Sequence, residues 1–328
     1  MSRPAPLLSV RDLKVHFEMK GDSPWPWTPS RWLKAVDGVS FDISPGETLG
    51  IVGESGCGKS TLARAMLNLI PASSGSIVWQ DQELFGASRQ VWQSVRKSVQ
   101  MIFQDPLASL DPRMTIGQII AEPLQTHYPA MSRTEVMQKV RSMMEQVGLT
   151  EQQINRYPHE FSGGQCQRIG IARALVMEPK LVICDEPVSA LDVSIQAQII
   201  NLLMELQSRM GLALVFIAHD LAVVKHISQR VMVMYLGRTM ELATKDAIYQ
   251  DPRHPYTQAL LSAVPTPDPR RERHKTLQLL HGDLPSPINP PSGCIFRTRC
   301  PKAVAGCATQ TPVLRALNAQ TQVACNLV

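Results

Sequence analysis

The sequence has no apolar run long enough to cross a membrane. Spanning a bilayer takes about 18 consecutive apolar residues, whereas the longest runs here, such as "ALVFIAH", are only as long as a strand. The first residues also lack the apolar core of a secretory signal, because Arg11, Asp12 and Lys14 interrupt them. We therefore expect a protein that stays in the cytosol, where thiols remain reduced and disulfides explain cysteines poorly.

A strong net charge and internal repeats are also missing. The formal net charge of +5 at pH 7 permits contact with acidic lipid or nucleic acid but favours neither. No repeat with a period of about 20–50 residues is visible, and no basic, aromatic-rich face stands out. With 44% hydrophobic residues over 328 positions, the composition is that of a globular protein of one or two domains.

The order of strand-like and helix-like segments predicts the fold class. Residues 7–18 and 34–43 alternate in the manner of antiparallel strands. The segments "TLGIVG", "VQMIFQ", "LVICDE" and "LALVFIAH" are typical of buried strands, and helical stretches follow several of them. This alternation predicts an α/β protein with a parallel sheet covered on both faces. Prolines become frequent after residue 264, so we predict a domain at 1–264 and a C-terminal extension at 265–328.

A glycine-rich segment, "GESGCGKST", predicts a phosphate-binding loop. It follows an apolar strand, precedes a helix and fits the pattern G-x-x-x-x-G-K-[ST]. Gly56 and Gly58 let several backbone N–H groups converge on one anion, and the helix N-terminus adds positive potential. Lys59 would reach the β- and γ-phosphates, and the Ser60 hydroxyl would ligate Mg²⁺. The predicted nucleotide contacts are Gly53, Glu54, Ser55, Gly56, Cys57, Gly58, Lys59, Ser60 and Thr61.

Two carboxylates end the strand-like segment "LVICDE". Ligands of open α/β sheets bind at the carboxyl ends of the strands, which is where Asp185 and Glu186 emerge. Asp185 is predicted to hold Mg²⁺, directly or through water. Glu186 is predicted to orient or deprotonate an attacking water.

The segment "FSGGQCQR" predicts a second anion-binding helix end. Ser162, Gly163 and Gly164 precede a helix that begins near Gln165, and small residues before a helix N-terminus suit an anion. One nucleotide rarely needs two such sites from one subunit. We therefore predict a dimer in which each nucleotide lies between the loop of one subunit and this segment of the other.

Taken in order, these motifs resemble those of ATP-binding-cassette ATPases over about residues 7–265. The resemblance implies ATP hydrolysis with Mg²⁺, and a fold with a mixed parallel core sheet, an antiparallel β subdomain and a helical subdomain at about 105–178. It implies that Gln104 in "IFQDP" senses and ligates Mg²⁺, that Asp192 in "SALD" closes the dimer, and that His219 in "FIAHD" contacts the γ-phosphate. Phe17 is implied as the aromatic that stacks on adenine, with a core phenylalanine as the alternative.

Further segments, including "HPYTQALLSAVP" and "LPSPINPPSGCIFRTRCP", resemble the bacterial oligopeptide/dipeptide importer ATPases, most of all the second ATPase of the oligopeptide system. This resemblance covers nearly the whole chain. It implies a heterodimer with a paralogous ATPase, two transmembrane permeases, an extracytoplasmic peptide-binding protein, and a location on the cytoplasmic face of the bacterial inner membrane. It implies no nucleic acid. Alternatives are another cargo, such as nickel or glutathione, and a soluble ABC ATPase that does not transport.

Four of the seven cysteines, Cys294, Cys300, Cys307 and Cys325, fall in the last 35 residues. Short C-x2-C zinc pairs are absent, but four thiolates suit a [4Fe–4S] cluster or zinc. Some members of the peptide-importer family carry an iron–sulfur cluster here. Because a proline-rich extension of about 60 residues buries little apolar surface, we expect a [4Fe–4S] cluster that holds it together, with Zn²⁺ or merely buried thiols as alternatives.

Overall fold

The computed structural model describes residues 5–19, 31–265, 270 and 277–328. The strands are β1 (Leu8–Met19), β2 (Arg31–Ile43), β3 (Thr48–Val52), β4 (Ser74–Trp79), β5 (Gln82–Glu83), β6 (Val99–Ile102), β7 (Leu181–Asp185), β8 (Ala213–Ile217), β9 (Arg230–Tyr235), β10 (Arg238–Thr244), β11 (Arg315–Ala316) and β12 (Thr321–Val323). The α-helices are α1 (Lys59–Met66), α2 (Arg89–Ser98), α3 (Ile116–His127), α4 (Arg133–Gln146), α5 (Gly163–Leu175), α6 (Val193–Met210), α7 (Leu221–Ile227), α8 (Lys245–Gln250) and α9 (Pro255–Ala263).

The chain divides into two compact units. We name them the loop unit, which contains Pro6–Ile43, Leu49–Gly86 and Ala218–Val328, and the signature unit, which contains Ser44–Thr48 and Ala87–Ile217. The predicted C-terminal extension belongs to the loop unit. Its first part, residues 266–269 and 271–276, lies outside the described residues, and the boundary at 264/265 stays a prediction.

Strand pairing in the loop unit is both antiparallel and parallel. β1 pairs antiparallel with β2 and β4, as the alternating patterns at 7–18 and 34–43 predict, and β5 extends this sheet. β3 runs parallel to β9, and β10 pairs antiparallel with β9. The extension then adds to this sheet, because β12 pairs antiparallel with β10 and β11 pairs with β12.

The signature unit contains parallel strands and most of the long helices. β6, β7 and β8 are neighbours in register, and each residue of β7 and β8 is buried. Their unbroken apolar sequences fit strands covered on both faces. Ser or Thr side chains cap α3, α4 and α5 in capping boxes. These three helices lie within the range predicted for the helical subdomain, whose boundaries stay a prediction.

Candidate functional site

The glycine-rich loop of the loop unit has the predicted strand–loop–helix setting. The buried strand β3 precedes it, and α1 begins at Lys59. Gly56 and Gly58 have φ values of 77° and 101°, a region that side chains with a Cβ rarely adopt. A Cβ on Gly58 would lie 2.0 Å from the carbonyl oxygen of Ala35. Only glycine therefore allows the loop to curl this close to the β1–β2 sheet.

The ammonium group of Lys59 points back into this loop. Its Nζ atom donates to the carbonyl oxygens of Gly53, at 2.8 Å, and Glu54, at 3.1 Å, and the side chain is buried. Burial raises the pKa of the neighbouring Cys57 thiol, with a smaller opposing effect from Lys59. Ser55 is exposed at the loop tip, whereas Ser60 and Thr61 are half-buried on the first turn of α1. The loop thus presents backbone amides and one cation, a combination that binds phosphate.

Gln104 and Glu186 meet in the signature unit. Asp185 is the last residue of β7 and is buried, and Glu186 follows with a φ of 46°. The Glu186 N–H donates to the Ile217 carbonyl at 3.1 Å, and Gln104 Nε2 donates to Glu186 Oε2 at 3.1 Å. A non-glycine residue in this left-handed region costs about 1–2 kcal/mol, and strain of this kind clusters at functional sites. The backbone conformation of Glu186 and the hydrogen bond from the Gln104 amide therefore together fix the position of the Glu186 carboxylate.

The segment "SGGQ" forms the N-terminus of α5, also in the signature unit. Ser162 Oγ accepts from the Gln165 N–H, and Gln165 Oε1 accepts from the Ser162 N–H at 3.0 Å. A Cβ on Gly164 would lie 2.5 Å from Ile195 Cγ2 of α6, and Gly163 is half-buried. Asp192 is the exposed N-cap of α6 without a side-chain capping bond. The N-terminus of α5 thus carries two glycines, and that of α6 carries one exposed acidic residue.

His219 and Phe17 lie in the loop unit, and both are exposed. His219 comes between β8 and α7, and the next residue, Asp220, caps α7 by accepting from the Ala222 N–H at 2.7 Å. Phe17 lies near the end of β1 opposite Leu33. Its side chain is 37% exposed. An exposed ring is available to stack on a base.

Two partners of the phosphate loop were not foreseen from the sequence. Arg299 Nη1 donates to both carboxylate oxygens of Glu54, at 3.0 and 2.8 Å. The Glu54 N–H donates to the Tyr256 hydroxyl at 3.1 Å. No local sequence signal marks these contacts, since Arg299 stands 245 positions from Glu54.

The prediction of a [4Fe–4S] cluster in the extension is wrong. Cys294, Cys300, Cys307 and Cys325 line one cavity, but among the described residues no three His, Cys, Asp or Glu side chains form a group that could hold a metal ion. Burial raises the pKa of the Cys294 and Cys300 thiols. The zinc alternative gains no support from the same geometry.

The physical error lay in treating the extension as a separate small domain that needs a metal core. Its strand β12 pairs with β10, and Phe296 packs against Tyr235 and Tyr256 with ring centroids 5.3 Å apart in both pairs. The extension therefore shares the core and the sheet of the loop unit. Cys57, Cys166 and Cys184 are buried, and burial raises the pKa of Cys184 to about 12.

Among the described residues, no helix combines the length and the hydropathy that crossing a bilayer would require.

Comparison with family models finds two matches. Residues 36–189 match the ABC transporter family. Residues 240–307 match the C-terminal region of oligopeptide/dipeptide transporters. The second match includes Cys294, Cys300 and Cys307 but ends before Cys325.

The chain is similar to curated proteins over nearly its whole length. It is 66% identical to the oligopeptide transport ATP-binding protein OppF of Escherichia coli K12, over 94% of this chain and 92% of the relative. It is 62% identical to the protein of the same name from Haemophilus influenzae, over 97% of this chain and 96% of the relative.

Solved structures share the fold. An ATP-binding cassette, solved as a dimer in a post-hydrolysis state with ADP and Pi, superposes with a TM-score of 0.64 at 26% identity, over 73% of this chain and 98% of that chain. The cbiO1 protein of Clostridium perfringens, part of an ABC transporter complex, gives a TM-score of 0.64 at 27% identity, over 75% of this chain and 91% of that chain.

Proposed function

The chain belongs to the ABC transporter family of ATP-binding subunits and is an ATPase with the mixed α/β fold of that family, and we propose that it powers the import of oligopeptides or dipeptides across the cytoplasmic membrane. The observation that carries this proposal is the full-length similarity to oligopeptide transport subunits, which continues through the C-terminal region. The names of those relatives favour peptides over nickel or glutathione. The family and fold expected from the motifs are confirmed.

The phosphate loop, residues 53–61, is proposed to bind the phosphates of ATP. Lys59 would exchange the Gly53 and Glu54 carbonyl oxygens that it now contacts for phosphate oxygens, which bear a full negative charge and form stronger hydrogen bonds. The exposed ring of Phe17 would stack on adenine. His219 would donate to the γ-phosphate.

Glu186 is proposed to accept the proton of the attacking water. The hydrogen bond from Gln104 holds its carboxylate in one orientation, so the water would meet a fixed acceptor. A positioned general base is worth about 10²–10⁴-fold in rate. This makes Glu186 the residue of the signature unit on which turnover depends most.

Mg²⁺ is proposed to be held by the Ser60 hydroxyl, the Gln104 amide and the Asp185 carboxylate. This donor set is chemically suitable, because all three side chains offer the hard oxygen ligands that Mg²⁺ prefers. When bound, the ion would neutralise phosphate charge.

The N-terminal ends of α5 and α6 are proposed to face a nucleotide held by a second ATPase subunit. The residues proposed to contact it are Ser162, Gly163, Gly164, Gln165 and Asp192. Relatives of this family work as subunits of transporters, and one neighbour in structure space was solved as a dimer. We propose a paralogous ATPase as the second subunit, with two permeases, an extracytoplasmic peptide-binding protein, and attachment to the cytoplasmic face of the membrane. ATP would drive closure by binding the closed pair more tightly than the open one.

Substituting Glu186→Gln tests this function in the assembled transporter. We expect ATP to bind with near-normal affinity while hydrolysis and peptide uptake fall by about 10²-fold or more, because the amide cannot take the proton. ATPase rates, nucleotide affinity and uptake of a labelled peptide into proteoliposomes are the measurements. The exposed Glu205→Gln, in the same unit, is the matched control and should retain all three. Near-normal turnover of Glu186→Gln would contradict the assignment. If the unsubstituted complex hydrolysed ATP normally but took up no peptide, the proposal that the transported substrate is a peptide would be contradicted.

A further inference from the structure

Glu54, the second residue of the phosphate loop, is bound by two residues from the C-terminal part of the loop unit. Arg299 Nη1 donates to both oxygens of its carboxylate, and the Tyr256 hydroxyl accepts a hydrogen bond from its backbone N–H. The Arg299 side chain is only 10% exposed and that of Glu54 26% exposed. Charge-assisted hydrogen bonds with little solvent access are stronger than exposed ion pairs.

Arg299 is itself held in place by the aromatic core beneath the extension. Its guanidinium carbon lies 5.9 Å from the centroid of the Tyr235 ring, close enough for a cation–π contact. The Arg299 backbone N–H donates to the Phe296 carbonyl at 3.0 Å, and the buried ring of Phe296 packs against both Tyr235 and Tyr256. The guanidinium therefore has a fixed position from which it can restrain Glu54.

The restraint extends to the residue that we propose binds the phosphates. Lys59 Nζ donates to the Glu54 carbonyl at 3.1 Å. One residue thus links Arg299 through its side chain, Tyr256 through its N–H, and Lys59 through its carbonyl. If the Glu54 side chain were released, the peptide groups on either side of it could rotate, and the loop amides would lose their present geometry.

We infer that Arg299 is a positioning residue for nucleotide binding, through which the C-terminal extension holds the phosphate loop in its binding-competent shape. This inference rests on the proposed role of the loop. It gives the extension a part in the ATPase site that depends on an arginine and on none of the four cysteines. A preorganised loop binds phosphate more tightly because less conformational freedom is lost on binding.

The test compares substitutions of the pair with a matched control in the full-length chain. Arg299→Gln and Glu54→Gln each remove the charge pair, Arg299→Lys keeps the charge without the planar guanidinium, and the double variant completes a double-mutant cycle. Arg297→Gln is the control, since Arg297 lies in the same segment and donates to Ser292, away from the loop. Affinity for a non-hydrolysable fluorescent ATP analogue is measured well below the melting temperature of each variant.

We expect Arg299→Gln and Glu54→Gln each to weaken binding by about tenfold, as loss of a charge-assisted hydrogen bond does. The double variant should bind the analogue as tightly as the single variant with the lower affinity, because both substitutions remove the same contact. Arg299→Lys should recover part of the affinity, and Arg297→Gln should match the unsubstituted chain. These results together support the inference.

Three outcomes would overturn it: unchanged affinity in Arg299→Gln, strictly additive losses in the double variant, or an equal loss in Arg297→Gln. The last would show a general effect of disturbing the segment. Failure of the unsubstituted chain to bind the analogue would instead count against the proposed function, so the two failures are distinguishable.

Discussion

The phosphate loop, residues 53–61, and the cysteine segment, residues 294–307, lie in the same unit, but different forces hold their irregular backbones. The loop is shaped by glycines at positive φ and by backbone contacts such as Gly237 N–H to Cys57 O at 2.8 Å. The two ends of the cysteine segment are joined by a backbone hydrogen bond from the Cys294 N–H to the Cys307 carbonyl oxygen at 2.8 Å, and the buried ring of Phe296 anchors the segment. Both segments have partners distant in the sequence, but the loop also requires glycines at positive φ, whereas the cysteine segment relies on a buried aromatic ring.

The largest expected effect breaks the anchor of the cysteine segment. Phe296→Ala should lower the free energy of unfolding by about 3–5 kcal/mol, because it removes a buried ring and leaves a cavity beside Tyr235 and Tyr256. Urea unfolding curves measure the loss. Leu279→Ala, at a side chain that is 72% exposed, is the control and should change stability by no more than about 0.5 kcal/mol. A loss of similar size in both variants would mean that the ring does not anchor the segment.

The next effect is a pH dependence at His254, which packs against Phe296. Burial lowers the pKa of His254 from 6.5 to about 4. Between these values the unfolded chain binds a proton that the folded chain does not, so stability falls as pH falls through this window. With 1.36 kcal/mol per pKa unit, the loss approaches about 3 kcal/mol near pH 4.

Unfolding curves from about pH 7 to about pH 4 measure this slope against that of His254→Asn. In the unsubstituted chain the Tyr256 N–H donates to His254 Nδ1 at 3.0 Å. The asparagine side chain can still accept this N-cap hydrogen bond, but it does not titrate. Burial raises the pKa of the neighbouring Glu241, which contributes a slope of opposite sign in both proteins and drops out of the comparison. Equal pH profiles would show that His254 is not buried as a neutral ring.

The smallest effect sharpens the description of the phosphate loop. Gly58→Ala and Gly56→Ala both place a Cβ at positive φ, but only Gly58 faces a backbone atom, the Ala35 carbonyl oxygen at 2.0 Å, whereas Gly56 meets nothing within 4 Å. We expect Gly58→Ala to be the less stable of the two by about 1–3 kcal/mol, the usual cost of overpacking. Thermal and urea unfolding measure the difference. Equal losses would mean that φ alone requires glycine there.

Structural features were predicted correctly from the sequence where residues adjacent in the chain determine the local structure. The unbroken apolar runs identified β3, β7 and β8 because strands buried on both faces need no polar alternation. The glycines of the phosphate loop identified its curled backbone, because glycine is the residue that adopts positive φ without a steric cost. Spacing alone was a poor guide to the four cysteines, because the metal prediction assumed that the extension folds by itself. The pairing of β12 with β10 removes that need.

The sequence by itself determined the family, the α/β fold and the strand–loop–helix around Lys59, because each depends on residues that are neighbours in the chain. Only the tertiary structure decided how the extension is held and what Glu54 contacts. Arg299 reaches Glu54 across 245 positions, and the nearby Phe296 packs against Tyr235 and Tyr256. Contacts of this kind are set by packing in three dimensions, and no spacing in the chain records them.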